Sequence, residues 1–173
     1  MLNKKTLRII ARLNIGGPAR NAVLLTEGLR KKGFESILLC GNVDETEGDM
    51  AYFAKAKDVN PIIVKELKRN LSVKSDWWAF WDIYRTICKE KPAIIHTHTA
   101  KAGTLGRLAG LLYNISHWRK HSTKRTGRSV KAKMMFVHTF HGHVLHSYFG
   151  KGKTLFFIWI ERILVRKILN NSP

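Results

Sequence analysis

At 173 residues, 45% of them hydrophobic, the chain has the size and composition of one globular domain with its own core, which excludes a disordered or fibrous protein. Its 31 lysines and arginines stand against 12 acids, a net charge of +19, and such an excess points to an anionic partner: nucleic acid, a phosphorylated ligand or an acidic membrane surface. No apolar run reaches membrane-spanning length, and the N-terminal run is interrupted by Arg8 and Arg12, unlike a signal peptide; Cys40 and Cys88, far apart with no CxxC, read as buried thiols of a reducing compartment.

The first apolar run, Leu7–Leu13, has the length and β-branched content of a buried parallel strand. It leads into Gly16-Gly17 and Pro18, and a helix is predicted from Ala19 to Lys32, closed by Gly33. Two readings of the glycine pair stand. The turn needs glycine for its shape, or the missing Cβ atoms let a ligand phosphate approach the free N–H groups of a helix start. The pair lacks the spacing of the dinucleotide and P-loop fingerprints. A second strand, Ser36–Cys40, precedes an acidic loop from Gly41 to Gly48 and a short helix from Asp49 to Lys57. Pro61–Val64 is a third strand, and Lys65–Ser75 a basic loop. Asp76 is a candidate cap for a helix from Trp77 to Lys89, on which Trp77, Phe80, Trp81 and Tyr84 follow helical spacing and are expected mostly in the core.

Ala93–His98 is the fourth strand, Gly103–Tyr113 a helix with small residues on one face, Met134–Phe140 the fifth strand and Thr154–Leu169 a last helix. Strands separated by helices predict a parallel sheet covered on both faces, an α/β Rossmann-like doubly wound domain. Such sheets bind ligands at the carboxyl ends of their strands. Three loops converge on that edge: the Gly16-Gly17 turn, Thr99-Ala-Lys101 after the fourth strand, and His141-Gly-His143 after the fifth. Threonine hydroxyls, a lysine and a helix start suit an oxyanion or sugar hydroxyls, and histidines beside them can move a proton near neutral pH. His96 and His138, inside strands, are expected as hydrogen-bonded core residues. The histidines gather between His96 and His146, but no acid or cysteine lies near them in sequence and no HExxH pairing occurs, so no metal is expected.

The segment from Trp118 to Lys133 is read as a basic loop insert. It carries Arg119, Lys120, Lys124, Arg125, Arg128, Lys131 and Lys133 without one acid. It reads as a solvated loop that attracts anionic lipid, at about 1 kcal/mol per basic residue near the surface. No nucleic-acid recognition signature accompanies the charge, so nucleic acid is not the expected partner.

Three motifs taken together resemble glycosyltransferase family 4, of the bacterial polysaccharide-building type. They are Arg8-Ile-Ile-Ala-Arg-Leu-Asn-Ile-Gly-Gly-Pro-Ala19, Ile94-Ile-His-Thr-His-Thr-Ala-Lys-Ala-Gly-Thr-Leu-Gly-Arg107 and His138-Thr-Phe-His-Gly-His-Val144. The likeness covers nearly the whole chain, including Glu161-Arg162. It implies the N-terminal, acceptor-side half of a two-domain GT-B enzyme whose donor-binding half is absent. It further implies transfer of a sugar from a nucleotide diphosphosugar, with retention of configuration, to a lipid-linked glycan acceptor. No metal cofactor, a cytoplasmic location at the inner membrane face and little activity for the half alone follow from it. By the same resemblance His141 contacts the donor sugar, Gly16 and Gly17 form the loop near donor phosphates or acceptor, and Thr99, Lys101 and His143 face the cleft. Asn21 stands where relatives often carry histidine, and the basic insert is longer than the resemblance leads one to expect. The alternative is a non-catalytic anion-binding module that docks on acidic membrane or on a partner protein.

Overall fold

Five strands form one parallel sheet in the computed structural model, which describes residues 5–44, 46–68, 70–121 and 134–141, with Arg162 and Arg166. The strands are β1 (Lys5–Arg12), β2 (Glu35–Gly41), β3 (Ile62–Ile63), β4 (Ile94–His98) and β5 (Met135–Thr139). They alternate with α1 (Gly17–Lys31), α2 (Ala51–Ala56), α3 (Val73–Glu90) and α4 (Ala100–His121). Their order, β3-β2-β1-β4-β5, is that of the Rossmann-like doubly wound fold, as the alternation of strands and helices predicts. The order reverses between β1 and β4, which pair in parallel from Thr6–Ile94 to Ile9–Thr97. A crevice opens at such a reversal, beyond the carboxyl ends of the strands.

β1 is buried along nearly its whole length because both of its faces are covered. Leu7, Ile9 and Ala11 pack with Ile95, Ile83, Ile87 and Ala109 under α3 and α4. Ile10, Leu38 and Cys40 meet Ala19, Ala22 and Val23 of α1 on the opposite face. Arg8, on that second face, is buried among neutral partners: its guanidinium donates to Thr26 Oγ1 at 2.7 Å and to Ser36 Oγ at 3.5 Å. Burial lowers its pKa to about 10, so it remains a cation at neutral pH.

The helix boundaries correct the sequence reading in three places. α1 begins at Gly17 rather than Ala19, with Pro18 in its first turn, where a missing N–H breaks no helical bond. α3 begins at Val73 rather than Trp77, and its cap is Ser72, whose Oγ accepts the Ser75 N–H at 3.4 Å. Asp76 instead reaches back to the Ser72 N–H at 3.3 Å, satisfying a second free donor. α4 begins at Ala100 rather than Gly103 and continues past Tyr113 to His121, so Arg119 and Lys120 belong to the helix and not to a loop insert. Nothing between Tyr113 and His121 breaks a helix. Gly103, Gly106 and Gly110 lie inside α4 because that face rests directly on the sheet. A Cβ at Gly106 would stand 2.8 Å from Thr97 Cγ2, and one at Gly110 would collide with Phe136. Lys124, Arg125, Arg128, Lys131, Lys133 and His143 lie outside the described residues, as does the predicted last helix apart from Arg162 and Arg166.

Phe80 and Tyr84 pack on the core as expected, with Trp81 edge-on to both at ring-centroid distances of 5.4 and 5.6 Å. Trp77 departs from the expectation: it and Trp78 are exposed.

Candidate functional site

Three chain segments reach the carboxyl edge of the sheet around the β1/β4 reversal, and each carries a feature that packing alone does not require. The first follows β1. Its approach to α1 is braced by backbone hydrogen bonds from Ile15 to Gly48 and from Met50 to Leu13, both 2.8 Å, and Arg12 forms an ion pair with Glu47. Gly16 is extended, at φ 162 and ψ 167, a conformation open to any residue. A Cβ on Gly16 would make only ordinary contact with Pro18, and one on Gly17 would meet nothing within 4 Å. The turn therefore does not need glycine for its shape, which removes the first of the two readings of the pair. The space beside both residues is open, at the start of a 15-residue helix.

The second segment joins β4 to α4 through Thr99. This β-branched residue sits at φ 66, in the left-handed region that such side chains rarely occupy. Its Oγ1 is buried and lacks a hydrogen-bond partner. Strain and an unpaired hydroxyl at one residue are a marker of function, because folding alone would select against both. Thr99 immediately precedes the free N–H groups at the start of α4. Lys101, two residues on, does not project freely. Its Nζ forms an ion pair with Asp76 and donates to the carbonyls of Lys68 at 2.8 Å and Asn70 at 2.6 Å. The expectation that Lys101 faces the cleft is corrected accordingly, because the ammonium finds two carbonyls on the neighbouring loop and the Asp76 carboxylate in the first turn of α3. Its charge staples that loop to the start of α4.

The third segment leaves β5 at Phe140 and presents His141. His141 Nε2 lies 2.7 Å from Nδ1 of His98, with the two rings stacked at a centroid distance of 5.0 Å. His98 is fully buried at the end of β4, its ring 4.3 Å from that of His96, and its Nε2 has no partner. Burial, reinforced by neighbouring cationic charge, lowers the pKa of His98 to about 3 and that of His96 to about 4. Burial also lowers that of His141. All three are neutral at physiological pH; His98 is buried, and His96 and His141 are partly open to solvent.

His96 and His138 fill the structural roles expected of strand histidines. His96 Nε2 lies 2.8 Å from Thr139 Oγ1, and His138 Nδ1 lies 2.8 Å from Thr97 Oγ1 beneath Gly103. His98 is the residue that sequence reasoning left out of the site. Its alternation with His96 put it on one face of the strand, but its partner lies 43 positions away, just past the end of another strand. Among the described residues no group of three or more histidines, cysteines and acids is arranged to hold a metal ion, and no helix is long and apolar enough to cross a membrane.

An α/β domain of this strand order, with helix starts, a strained threonine and neutral histidines at its strand reversal, belongs to the Rossmann-like doubly wound folds. The chain belongs to glycosyltransferase family 4, whose model matches residues 15–173. It is 31% identical over 103 residues to the UDP-Gal:alpha-D-GlcNAc-diphosphoundecaprenol alpha-1,3-galactosyltransferase of Escherichia coli. That match takes in 60% of this chain and 22% of the relative, so the chain spans under a quarter of that protein's length. Among solved structures it is similar to a putative UDP-N-acetylglucosamine 2-epimerase from Listeria monocytogenes, with a TM-score of 0.49 and 20% identity over 65% of this chain and 30% of that one. It is also similar to the UDP-GlcNAc 2-epimerase of Methanocaldococcus jannaschii, with a TM-score of 0.46 and 14% identity over 63% of this chain and 28% of that one.

Proposed function

We propose that this chain is the acceptor-side half of a retaining glycosyltransferase that moves a sugar from a nucleotide diphosphosugar to a lipid-linked glycan, working peripherally at the inner face of the cell membrane. The observation that carries the reading is Thr99, with its left-handed backbone and unpaired buried hydroxyl, at the strand reversal between the starts of α1 and α4. The donor and acceptor classes draw support from the relative whose name specifies UDP-galactose and a diphosphoundecaprenol-linked sugar.

The chain's own residues supply hydrogen-bond donors at this edge. The free N–H groups at the starts of α1 and α4 and the Thr99 hydroxyl would meet the charge that develops on the departing diphosphate or hold the acceptor. Gly16 and Gly17 leave their backbone open to such a group. His141, neutral and backed by His98, would donate or accept one hydrogen bond to the donor sugar, a contact that orients the sugar without adding charge. The nucleotide would be held by a second domain across the edge. Closure of that domain would exclude water, and without it the edge remains an open surface. His143 is proposed for the same cleft from the resemblance alone.

The test is reconstitution. Residues 1–173 are incubated with a labelled nucleotide sugar and a polyprenyl-linked acceptor, with and without a family 4 C-terminal domain supplied in trans or by fusion. Transfer is expected only from the combined protein. Robust transfer by the chain alone would refute the need for a second half.

A further inference from the structure

We propose that an exposed apolar shelf at the start of α3, and not the basic segment after α4, is the surface by which this domain docks on an anionic bilayer. Leu71, Val73, Trp77 and Trp78 are all exposed within eight residues, Val73 at 92% and Trp77 at 58%. Val73 and Trp77 stand four residues apart on one face of α3, and Lys74 and Trp78 repeat the spacing beside them. Scattered exposed apolar residues need no explanation, but a contiguous group of large ones marks a surface that is covered in use. Tryptophans bordered by lysines fit the membrane interface, where the ring lies at headgroup level and the ammonium meets lipid phosphate.

Two further observations favour a bilayer over a protein. The local charge is positive: from Lys65 to Trp78 the sequence carries four basic and two acidic residues. Both acids are already engaged, Glu66 with Lys68 at 3.3 Å and Asp76 with Lys101. The shelf is also held outward. The bonds from Lys101 Nζ to the carbonyls of Lys68 and Asn70 and its ion pair with Asp76 tie the loop to the start of α4, with Leu71, Val73, Trp77 and Trp78 left exposed.

Position separates the shelf from the basic segment. Lys101 lies in the first turn of α4, just past the carboxyl end of β4, so the shelf it secures borders the edge that carries Thr99 and His141. α4 then runs back along the sheet, and Arg119 stands about 30 Å from Ala100 along the helix axis. β5 starts beside Ala93, at the amino edge. Both ends of the segment 122–133 are thus anchored on the edge opposite the candidate site. A membrane held there would lie away from the site, whereas one held at the shelf lies beside it, where a lipid-linked sugar has the shortest reach.

The inference rests on the reading of a lipid-linked acceptor. Its test contains neither donor nor acceptor, so the two fail separately. The full chain is sedimented with phosphatidylglycerol–phosphatidylcholine vesicles at physiological salt. Bound fraction is compared among wild type, a Val73→Ser/Trp77→Ser/Trp78→Ser variant and a variant with the seven basic residues from Arg119 to Lys133 changed to Gln. The shelf variant is expected to lose affinity by about tenfold or more, and the Gln variant to keep most of it. Brominated acyl chains are expected to quench wild-type tryptophan fluorescence, and a conservative Trp77→Phe/Trp78→Phe variant to lose most of that quenching while still binding. That pair covers the case in which the triple variant does not fold. Wild-type binding by a folded shelf variant, quenching unchanged in the Phe pair, no vesicle binding by wild type, or a shelf-dependent dimer in sedimentation equilibrium would each overturn the proposal.

Discussion

Acidification reports directly on the buried histidine behind the candidate site. His98 is fully buried, and its pKa falls from 6.5 to about 3 on folding. Burial is the main cause, followed by the charges of His96, Arg8, His141 and His138. Because the folded value is depressed, the unfolded chain takes up a proton at pH values where the folded chain does not. The stability contributed by neutral His98 is therefore fully present above about pH 6.5 and declines as pH falls toward about 3, at about 1.4 kcal/mol per pH unit. Between pH 7.5 and pH 5 this single group removes about 2 kcal/mol, a large share of the ~5–15 kcal/mol typical of a domain. His96 adds a loss of the same sign, since its pKa is lowered to about 4. The assay is urea unfolding of the whole chain at both pH values, for wild type and His98→Gln. The amide keeps a hydrogen-bonding group near His141 but does not titrate in this range. The variant is expected to be less stable at pH 7.5, yet to lose about 2 kcal/mol less than wild type on acidification. Identical losses in the two proteins would show that His98 is not a buried neutral group, and the packing of β4 against β5 described here would be wrong.

Lys101→Met should cost about 2 kcal/mol in urea unfolding, because Asp76 is left without its cation and two carbonyls lose their donor. Amide exchange across residues 70–76 should accelerate in the same variant, and unchanged exchange would show that the ammonium does not staple the loop. In the proposed two-domain enzyme, His141→Ala should lower kcat at least tenfold, while losing its bond to buried His98 costs about 1–3 kcal/mol and leaves the domain folded. Wild-type turnover in the folded variant would remove His141 from the reaction.

Much of the fold is legible in the sequence because strand and helix signals are local. Short β-branched runs, glycines at helix ends and the regular alternation of the two periods specify a parallel sheet wound on both sides. The placement of Gly16, Thr99 and His141 on one edge follows as well, because each directly succeeds a strand and all strands of such a sheet point the same way. The family was legible in the motifs, and the match over residues 15–173 bears it out.

What the sequence alone did not decide was set by contacts between positions distant in the chain. Gly103 reads as a helix start, but like Gly106 and Gly110 it is an interior residue, and the three are made necessary by His138, Thr97 and Phe136 of the strands beneath. Lys101 reads as a cleft cation, yet its charge is held by Asp76 in the first turn of α3 and by the carbonyls of Lys68 and Asn70 in the loop before it. Trp77 has the spacing of a core residue, but it packs only edge-on against Trp81 of its own helix, at a ring-centroid distance of 5.7 Å, and stays largely in solvent. His98 becomes part of the site only because β4 and β5 pair in the register that sets it against His141. Periodicity and punctuation act over a few residues and so fix which elements form. Which side chains are neutralised, buried or left exposed depends on what the completed sheet brings within a few ångströms, and only the tertiary structure determines that.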